Sequence, residues 1–216
     1  MTDNVRMGNT RTPRTARSTA SAPVGADEIA ASGLSARERL VAAATALFYA
    51  EGIHSVGVDR VIETAGVTRA TLYKQFSGKE ALVLAYLQGE DAGLRALLGA
   101  ATAVTTEPDE LLALVVTGIQ QDIAERHTRG CPFINAAAEY PDDGPVRELV
   151  AAHREWFRAT LRELAEAAAL RDPEEVAGAL VLLRDAALVG GYLDGRDLVA
   201  PVFARTAGAV LEAHRQ

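Results

Sequence analysis

The sequence predicts an all-α chain, with an N-terminal three-helix unit containing a helix-turn-helix and a larger C-terminal helical region. Three observations predict it. Ala, Leu, Arg and Glu are frequent in a composition that is 49% hydrophobic and 24% charged, as in ordinary globular proteins. Proline is sparse beyond residue 25, and alternating β-branched runs are rare. Apolar residues recur instead at three- and four-residue spacing, the mark of helices with one buried face. The 216 residues allow one large domain, or a small one beside a larger one.

Residues 1–33 are rich in Thr, Ser, Arg, Ala and Gly and lack large-apolar periodicity, so they are expected to form a disordered arm. Arg6, Arg11, Arg14 and Arg17 face only Asp3 before residue 25. That pattern suits a basic arm touching DNA phosphate or the minor groove. A solvated tail or a misassigned start codon would look the same.

The first helix is expected over 35–51. Ser35 with Glu38 forms a capping-box pattern, and Leu40, Ala43, Ala44, Leu47 and Phe48 make the buried face. Gly52 ends it. The second helix spans 58–65, with Val61, Ile62 and Ala65 turned inward and Gly57 as an acceptable cap. Gly66 breaks the chain, and the Thr68 hydroxyl can cap a third short helix, T-R-A-T-L-Y-K-Q-F over 68–76. Two short helices across a tight glycine turn make a helix-turn-helix, whose second helix can enter a DNA major groove. Ser77, with Glu80 three residues on, is expected to cap a fourth helix running towards Leu98. Residues 100–108 read as a loop.

Further helices are expected over 108–127, 131–140, 146–170, 173–193 and 198–214. The helix over 146–170 carries an apolar face that includes His153, Trp156, Phe157 and Leu161. Its Arg154, Arg158 and Arg162 form a solvated face with Glu155 and Glu166 in pairing range. The middle of 173–193 is apolar nearly all round, so burial on more than one side is expected. Together with 199–214 it is expected to pair with its copy in a two-fold four-helix interface, Gly178, Gly190, Gly191 and Gly208 permitting close approach.

The run 34–87 resembles the DNA-binding domain of the tetracycline-repressor (TetR) family of transcriptional regulators. Ala43, Phe48, Gly52, Val58, Ala65, Gly66, Val67, Thr71, Leu72, Tyr73, Phe76, Lys79, Glu80 and Leu82 match in order and spacing. The resemblance implies a DNA-binding domain over 34–82 and a helical effector-binding and dimerisation domain over 83–216. It implies phosphate contacts from Tyr73 and Lys79, and base contacts from Arg69, Ala70 and Thr71, with some from Lys74 and Gln75, in a DNA-binding set that also includes Thr68. These roles suit the chemistry, since Arg reads guanine and Thr a thymine methyl, while Tyr and Lys donate to phosphate. It also implies a homodimer that represses from a palindromic operator and is released when a small molecule shifts the fourth helix.

Net charge is −7, but it is unevenly placed. Residues 34–89 carry six Lys/Arg against five Asp/Glu, whereas 90–216 carry twelve Arg against twenty-one Asp/Glu. A local DNA-reading face survives inside an acidic protein because screening confines charge effects to about 8 Å. Cys131 is the only cysteine, so no intrachain disulfide forms, which fits a cytoplasmic location. No uninterrupted apolar run reaches the roughly 20 residues of a bilayer span, Arg184 and Asp185 breaking the richest one, and the N-terminus lacks a secretory core. No membrane partner is expected.

A small, largely hydrophobic effector is expected among the helices of 108–170. Ile119, Ile123, Phe133, Trp156, Phe157 and Leu161 fall on inward faces, and Asn135, Tyr140 and His153 supply polar handles. Cys131 reads either as a thiol activated at a helix start beside Arg126, His127 and Arg129 or as an inert buried residue. No phosphate loop, nucleophile elbow or metal-ligand spacing is present, so neither metal, cofactor nor catalysis is expected. The competing readings are a dimeric DNA-binding adaptor without a ligand and an all-α enzyme, which turnover would reveal.

Overall fold

The computed structural model describes Ile29 and residues 33–215, and among these all regular structure is helical. The basic arm expected over residues 1–33 therefore lies almost wholly outside the described residues. Ile29 is helical and 3% exposed, within the core.

Three helices make the N-terminal head: α1 (Ala36–Glu51), α2 (Val58–Ala65) and α3 (Arg69–Gln75). The capping box at α1 is complete. The Ser35 hydroxyl accepts from the Glu38 amide, and the Glu38 carboxylate accepts from the Ser35 amide at 2.8 Å. Gly52 ends α1 at φ +93°, a left-handed conformation that disfavours any side chain. Leu40, Ala43, Ala44, Val61, Ala65, Leu72 and Leu82 are fully buried where α1 packs on α2, α3 and the fourth helix. Each buried leucine contributes about 1.5–3 kcal/mol.

Helix α4 (Lys79–Val104) starts in this head and runs on into the second unit. Its 26 residues span about 39 Å at 1.5 Å per residue. Two expectations are corrected here. Gly78, not Ser77, is the N-cap, and no side chain caps this helix. The expected loop over 100–108 is mostly helix, since Ala-rich sequence continues α4 to Val104. Only 105–107 remain as linker, where the Thr105 hydroxyl donates to Glu110 and accepts from the Glu107 amide.

The second unit contains α5 (Pro108–Gln121), α6 (Pro132–Glu139), α7 (Pro145–Ala167), α8 (Pro173–Asp194) and α9 (Arg196–Ala213). Four of these five helices open with proline in the first turn, where its missing N–H is not needed. α5 does not reach 127 as an α-helix. Residues 122–126 widen into a π turn, closed by the His127 amide on the Asp122 carbonyl at 3.1 Å. Such turns often mark functional sites.

α8 is flanked by α7 and α9, its most extensive partners. Among the described residues it alone is long and apolar enough to cross a membrane by length and composition. It nevertheless carries the buried Arg184 and the partly buried Asp185 at its middle. Gly190 and Gly191 allow close approach inside the chain, a Cβ at Gly191 meeting Ile123 and Arg196 at 3.4 Å and one at Gly190 meeting Val199 at 3.6 Å. Gly178 and Gly208 face open space. An apolar set stays uncovered: Leu182, Val189, Tyr192 and Leu193 on α8, with Leu198 and Val202 on α9.

Candidate nucleic-acid interface and core cavity

The turn between α2 and α3 is closed by two backbone bonds, from Gly66 N to Glu63 O at 3.1 Å and from Val67 N to Ile62 O at 3.2 Å. This is a Schellman closure, and it needs the left-handed Gly66 at φ +61°. Thr68 then caps α3, its hydroxyl accepting from the Thr71 amide at 3.1 Å. Leu72 is fully buried and anchors α3 on α1. The opposite side of α3 is left in solvent, with Arg69, Ala70, Tyr73 and Lys74 all exposed and Thr71 half-buried.

Two of these groups have partners inside the head. The Arg69 guanidinium pairs with the exposed Asp59 on α2, so it must share or leave that carboxylate to reach a base. Lys79 is half-buried with Nζ 3.5 Å from the His54 carbonyl, and burial lowers its pKa against the opposing pull of Glu139. The head is fastened to the second unit by polar clamps. The Glu139 carboxylate accepts from the Ile53 and His54 amides at 2.8 and 2.5 Å. The Tyr49 hydroxyl donates to Gly130 O at 3.0 Å and accepts from Arg129 N at 2.7 Å. Burial pushes that phenol up to about 12.

The second unit holds a cavity of about 70 Å³ between α4, α5 and α7, floored by α8. Leu94, Leu98, Val115, Ile119, Trp156, Phe157 and Leu161 form apolar walls. Leu97 and Leu114, both largely exposed, stand at its mouth. Asp122, Thr160 and Arg184 are its polar groups. Four of the nine expected effector residues thus meet in one cavity: Ile119, Trp156, Phe157 and Leu161. Ile123 is buried in the core but does not line it, and touches Gly191 instead.

The expected polar handles lie elsewhere. Tyr140 stacks on His54 at 5.4 Å between ring centres, beside the head. Asn135 donates to the Arg129 carbonyl and steadies the turn before α6. His153 on α7 is buried but does not line the cavity, and the expected wall residue Phe133 stacks flat on it at 3.6 Å instead. Tyr140, Asn135 and Phe133 sit on or next to the short helix α6, which packs on α7, and helical periodicity alone does not reveal that. Among the polar groups that do line the cavity, Arg184 looks in the sequence like an interruption of an apolar run, and Asp122 like one more charge in a polar helix end. Cys131 is buried at the N-terminus of α6, with Arg184 Nη1 3.9 Å from its sulfur.

The comparisons decide the family. Residues 40–86 match the family model for bacterial regulatory proteins of the tetR family, and residues 94–199 match the tetracyclin repressor-like C-terminal domain. The structure is similar to SCO4454, a TetR-family transcriptional regulator from Streptomyces coelicolor. The two share 44% identity over 84% of this chain and 96% of that one, with a TM-score of 0.79. This chain belongs to the TetR family of transcriptional regulators. A Streptomyces avermitilis TetR regulator is 26% identical over 84% of this chain and 98% of its own, with a TM-score of 0.71. The transcriptional activator FasR of Mycolicibacterium smegmatis is 33% identical over 98 residues, 45% of this chain and 44% of FasR. An uncharacterized Mycobacterium tuberculosis regulator matches at 35% over 38% of this chain and 41% of its own length. The chain thus spans under half the length of those two relatives. It is a DNA-binding transcriptional regulator with an N-terminal helix-turn-helix and a C-terminal helical domain, the all-α architecture that the sequence predicts.

Two histidines join the head-bearing helix α4 of this TetR-family chain to the rest, and their pKa values are shifted in opposite directions. His127, on the π turn, has Nδ1 2.7 Å from Asp122 Oδ1 and Nε2 3.4 Å from Glu90 Oε2 on α4. Burial pulls its pKa down, but the two carboxylates outweigh it and leave it raised above 6.5. His153, on α7, has Nδ1 2.7 Å from Asp91 Oδ1 on α4, while its buried Nε2 has no hydrogen-bond partner. Burial lowers its pKa below 6.5, with Arg184 and Arg95 adding to the effect and Asp91 opposing it.

The linkage signs follow. The raised His127 gives stability that is complete below its unfolded value and lost as pH rises through its folded value. The depressed His153 gives stability present above its unfolded value and lost as pH falls through its folded one. The thermal advantage of wild type over His127→Asn should therefore shrink from about pH 6 to about pH 8. Its advantage over His153→Asn should shrink from about pH 7 to about pH 5. Thermal melts of the three proteins across this range test both signs, and a difference running the other way rejects the corresponding one.

Proposed function

We propose that this TetR-family regulator is a cytoplasmic, non-enzymatic, ligand-responsive homodimer that represses from a near-palindromic operator until a small, largely hydrophobic effector releases it. Residues 34–82 form the DNA-reading domain and 83–216 the effector and dimerisation domain. Arg69, Ala70 and Thr71, with Thr68 and Lys74, read bases, while Tyr73 and Lys79 hold phosphates. Ile119, Trp156, Phe157 and Leu161 hold the apolar body of the effector. The dimer forms through 173–194 and 199–214, where the uncovered leucines of α8 and α9 support the pairing.

One observation carries the ligand response. The cavity is walled by α4, the same helix whose first turn lies in the DNA head. At about 70 Å³ it is well below the roughly 300–1,000 Å³ of a filled ligand pocket. An effector must therefore move its walls, and α4 is the wall that ends at the operator. Arg95 on α4 lies over the Trp156 ring at 3.9 Å, and Asp91 on α4 grips His153, so displacement of Trp156 is transmitted to α4. Release requires that the effector bind the moved state more tightly than the DNA-bound one.

The test selects bound DNA from random sequence, then screens hydrophobic compounds for release while following the emission of Trp156, the only tryptophan. Releasing compounds are expected to change that emission, and Trp156→Phe to alter the response while sparing operator affinity. Release without any change at Trp156 would move the effector site elsewhere.

A further inference from the structure

We infer that the effector of this cavity is an amphipathic acid, its carboxylate taken by Arg184 at the cavity floor and its apolar body lying against Trp156 and Phe157. The inference rests on the cavity being the effector site and adds the chemical class. Arg184 is 5% exposed and lines the cavity from α8. A guanidinium keeps its charge at any pH a protein meets, and it carries five N–H donors. Such a charge is costly to bury unless it is paired and hydrogen-bonded.

Arg184 has no strong partner. Its closest carboxylate oxygen, Asp185 Oδ1, is 3.8 Å away, beyond hydrogen-bond reach. Asp185 is meanwhile held through Oδ2 by Arg154 at 2.8 Å. The Cys131 sulfur at 3.9 Å is a weak acceptor. The Phe157 ring, 5.1 Å from the guanidinium carbon, offers only its face. The one carboxylate lining the cavity, Asp122, is engaged by His127 at 2.7 Å and Arg126 at 4.0 Å. The floor therefore presents a cation with spare donors beneath walls that are otherwise apolar.

A planar carboxylate is the group that a guanidinium fork binds in pairs of parallel hydrogen bonds. An ammonium headgroup would meet repulsion there. An alcohol could accept one hydrogen bond but would add no counter-charge to the loose 3.8 Å pairing with Asp185. An apolar wall against the body and a buried cation at the inner end select an acid that enters head first, with its tail towards Leu97 and Leu114 at the mouth.

The experiment titrates the full-length protein, by calorimetry and Trp156 emission, with two matched series: octanoate, octan-1-ol and octylammonium, and 3-phenylpropionate, its alcohol and its amine. At least one carboxylate is expected to bind about 10-fold or more tightly than its alcohol, with the amine weakest, since charge-assisted bonds are about twice as strong as neutral ones. Arg184→Met should bring acid and alcohol within about threefold, and Arg184→Lys should keep part of the preference. The comparison within the wild type stands even if Arg184→Met fails to fold. Alcohols that bind as well as their acids, or a preference that survives Arg184→Met, overturn the acid while leaving the effector cavity standing. Binding by neither series, with no change at Trp156, removes both.

Discussion

Leu193→Glu should turn the protein into a monomer at micromolar concentration and cost operator affinity a factor of about 10²–10⁴. Leu193 is 70% exposed on α8, and Leu182, Leu198 and Val202 expose 69%, 64% and 44% of their surface on the same two helices. Monomeric proteins rarely leave so contiguous an apolar set in water. In the proposed homodimer, pairing with a second copy would bury it in a four-helix interface. A glutamate there would have to be buried without a partner, a cost of several kcal/mol, which is about a 100-fold or greater loss in dimerisation. Operator affinity falls further than dimerisation alone suggests, because the second head loses the high effective concentration that a dimer gives it. The far side of α8 is buried on α7, that of α9 on α5 and the π turn, and the two helices pack on each other, so each protomer should keep its helical content. Sedimentation and operator titration of the variant check this, and a dimer that persists would reject the interface.

Tyr73→Ala and Lys79→Ala should each weaken binding to specific and nonspecific DNA alike, by about 10-fold or more per dimer, and Lys79→Ala should also flatten its salt dependence. In a dimer each substitution removes two phosphate contacts, so losing Lys79 should change the slope of log affinity against log salt by about 1.8. Tyr73 is neutral and should change affinity more than slope. Thr71 and Arg69 substitutions should instead shift sequence preference. Asp59→Ala bears on the same face, because it frees the Arg69 guanidinium from its present partner. That variant should tighten nonspecific binding before it alters specificity. Affinities measured across a salt series decide the matter. An unchanged slope for Lys79→Ala would mean that its ammonium stays with the His54 carbonyl and never reaches phosphate.

The head was legible because its boundaries are written in local chemistry. Ser35 with Glu38, Gly52, Gly66 and Thr68 each perform one backbone task that few other residues perform. The second unit is written less locally. Ser77 has the composition of a cap, but the N-cap of α4 falls one residue later, at Gly78. The π turn over 122–126 has no sequence signature, and it sets His127 beside both Asp122 and Glu90. The cavity walls were half legible. Ile119, Trp156, Phe157 and Leu161 follow from periodicity on two long helices, whereas the placement of Phe133, Asn135 and Tyr140 depends on which way the short α6 leans. Arg184 interrupts an apolar stretch, and only its contacts reveal a buried charge without a strong partner.

One helix, α4, couples the cavity to the operator so that occupation of either weakens the other. Coupling of this kind is reciprocal: the factor by which an effector weakens operator binding must equal the factor by which operator weakens effector binding. The direct measurement is the affinity of a releasing compound, read from Trp156 emission, for the free protein and for the protein saturated with operator. The account predicts that operator weakens the compound by the same factor, on the order of 5- to 150-fold for typical couplings. Equal affinity in the two states would contradict it.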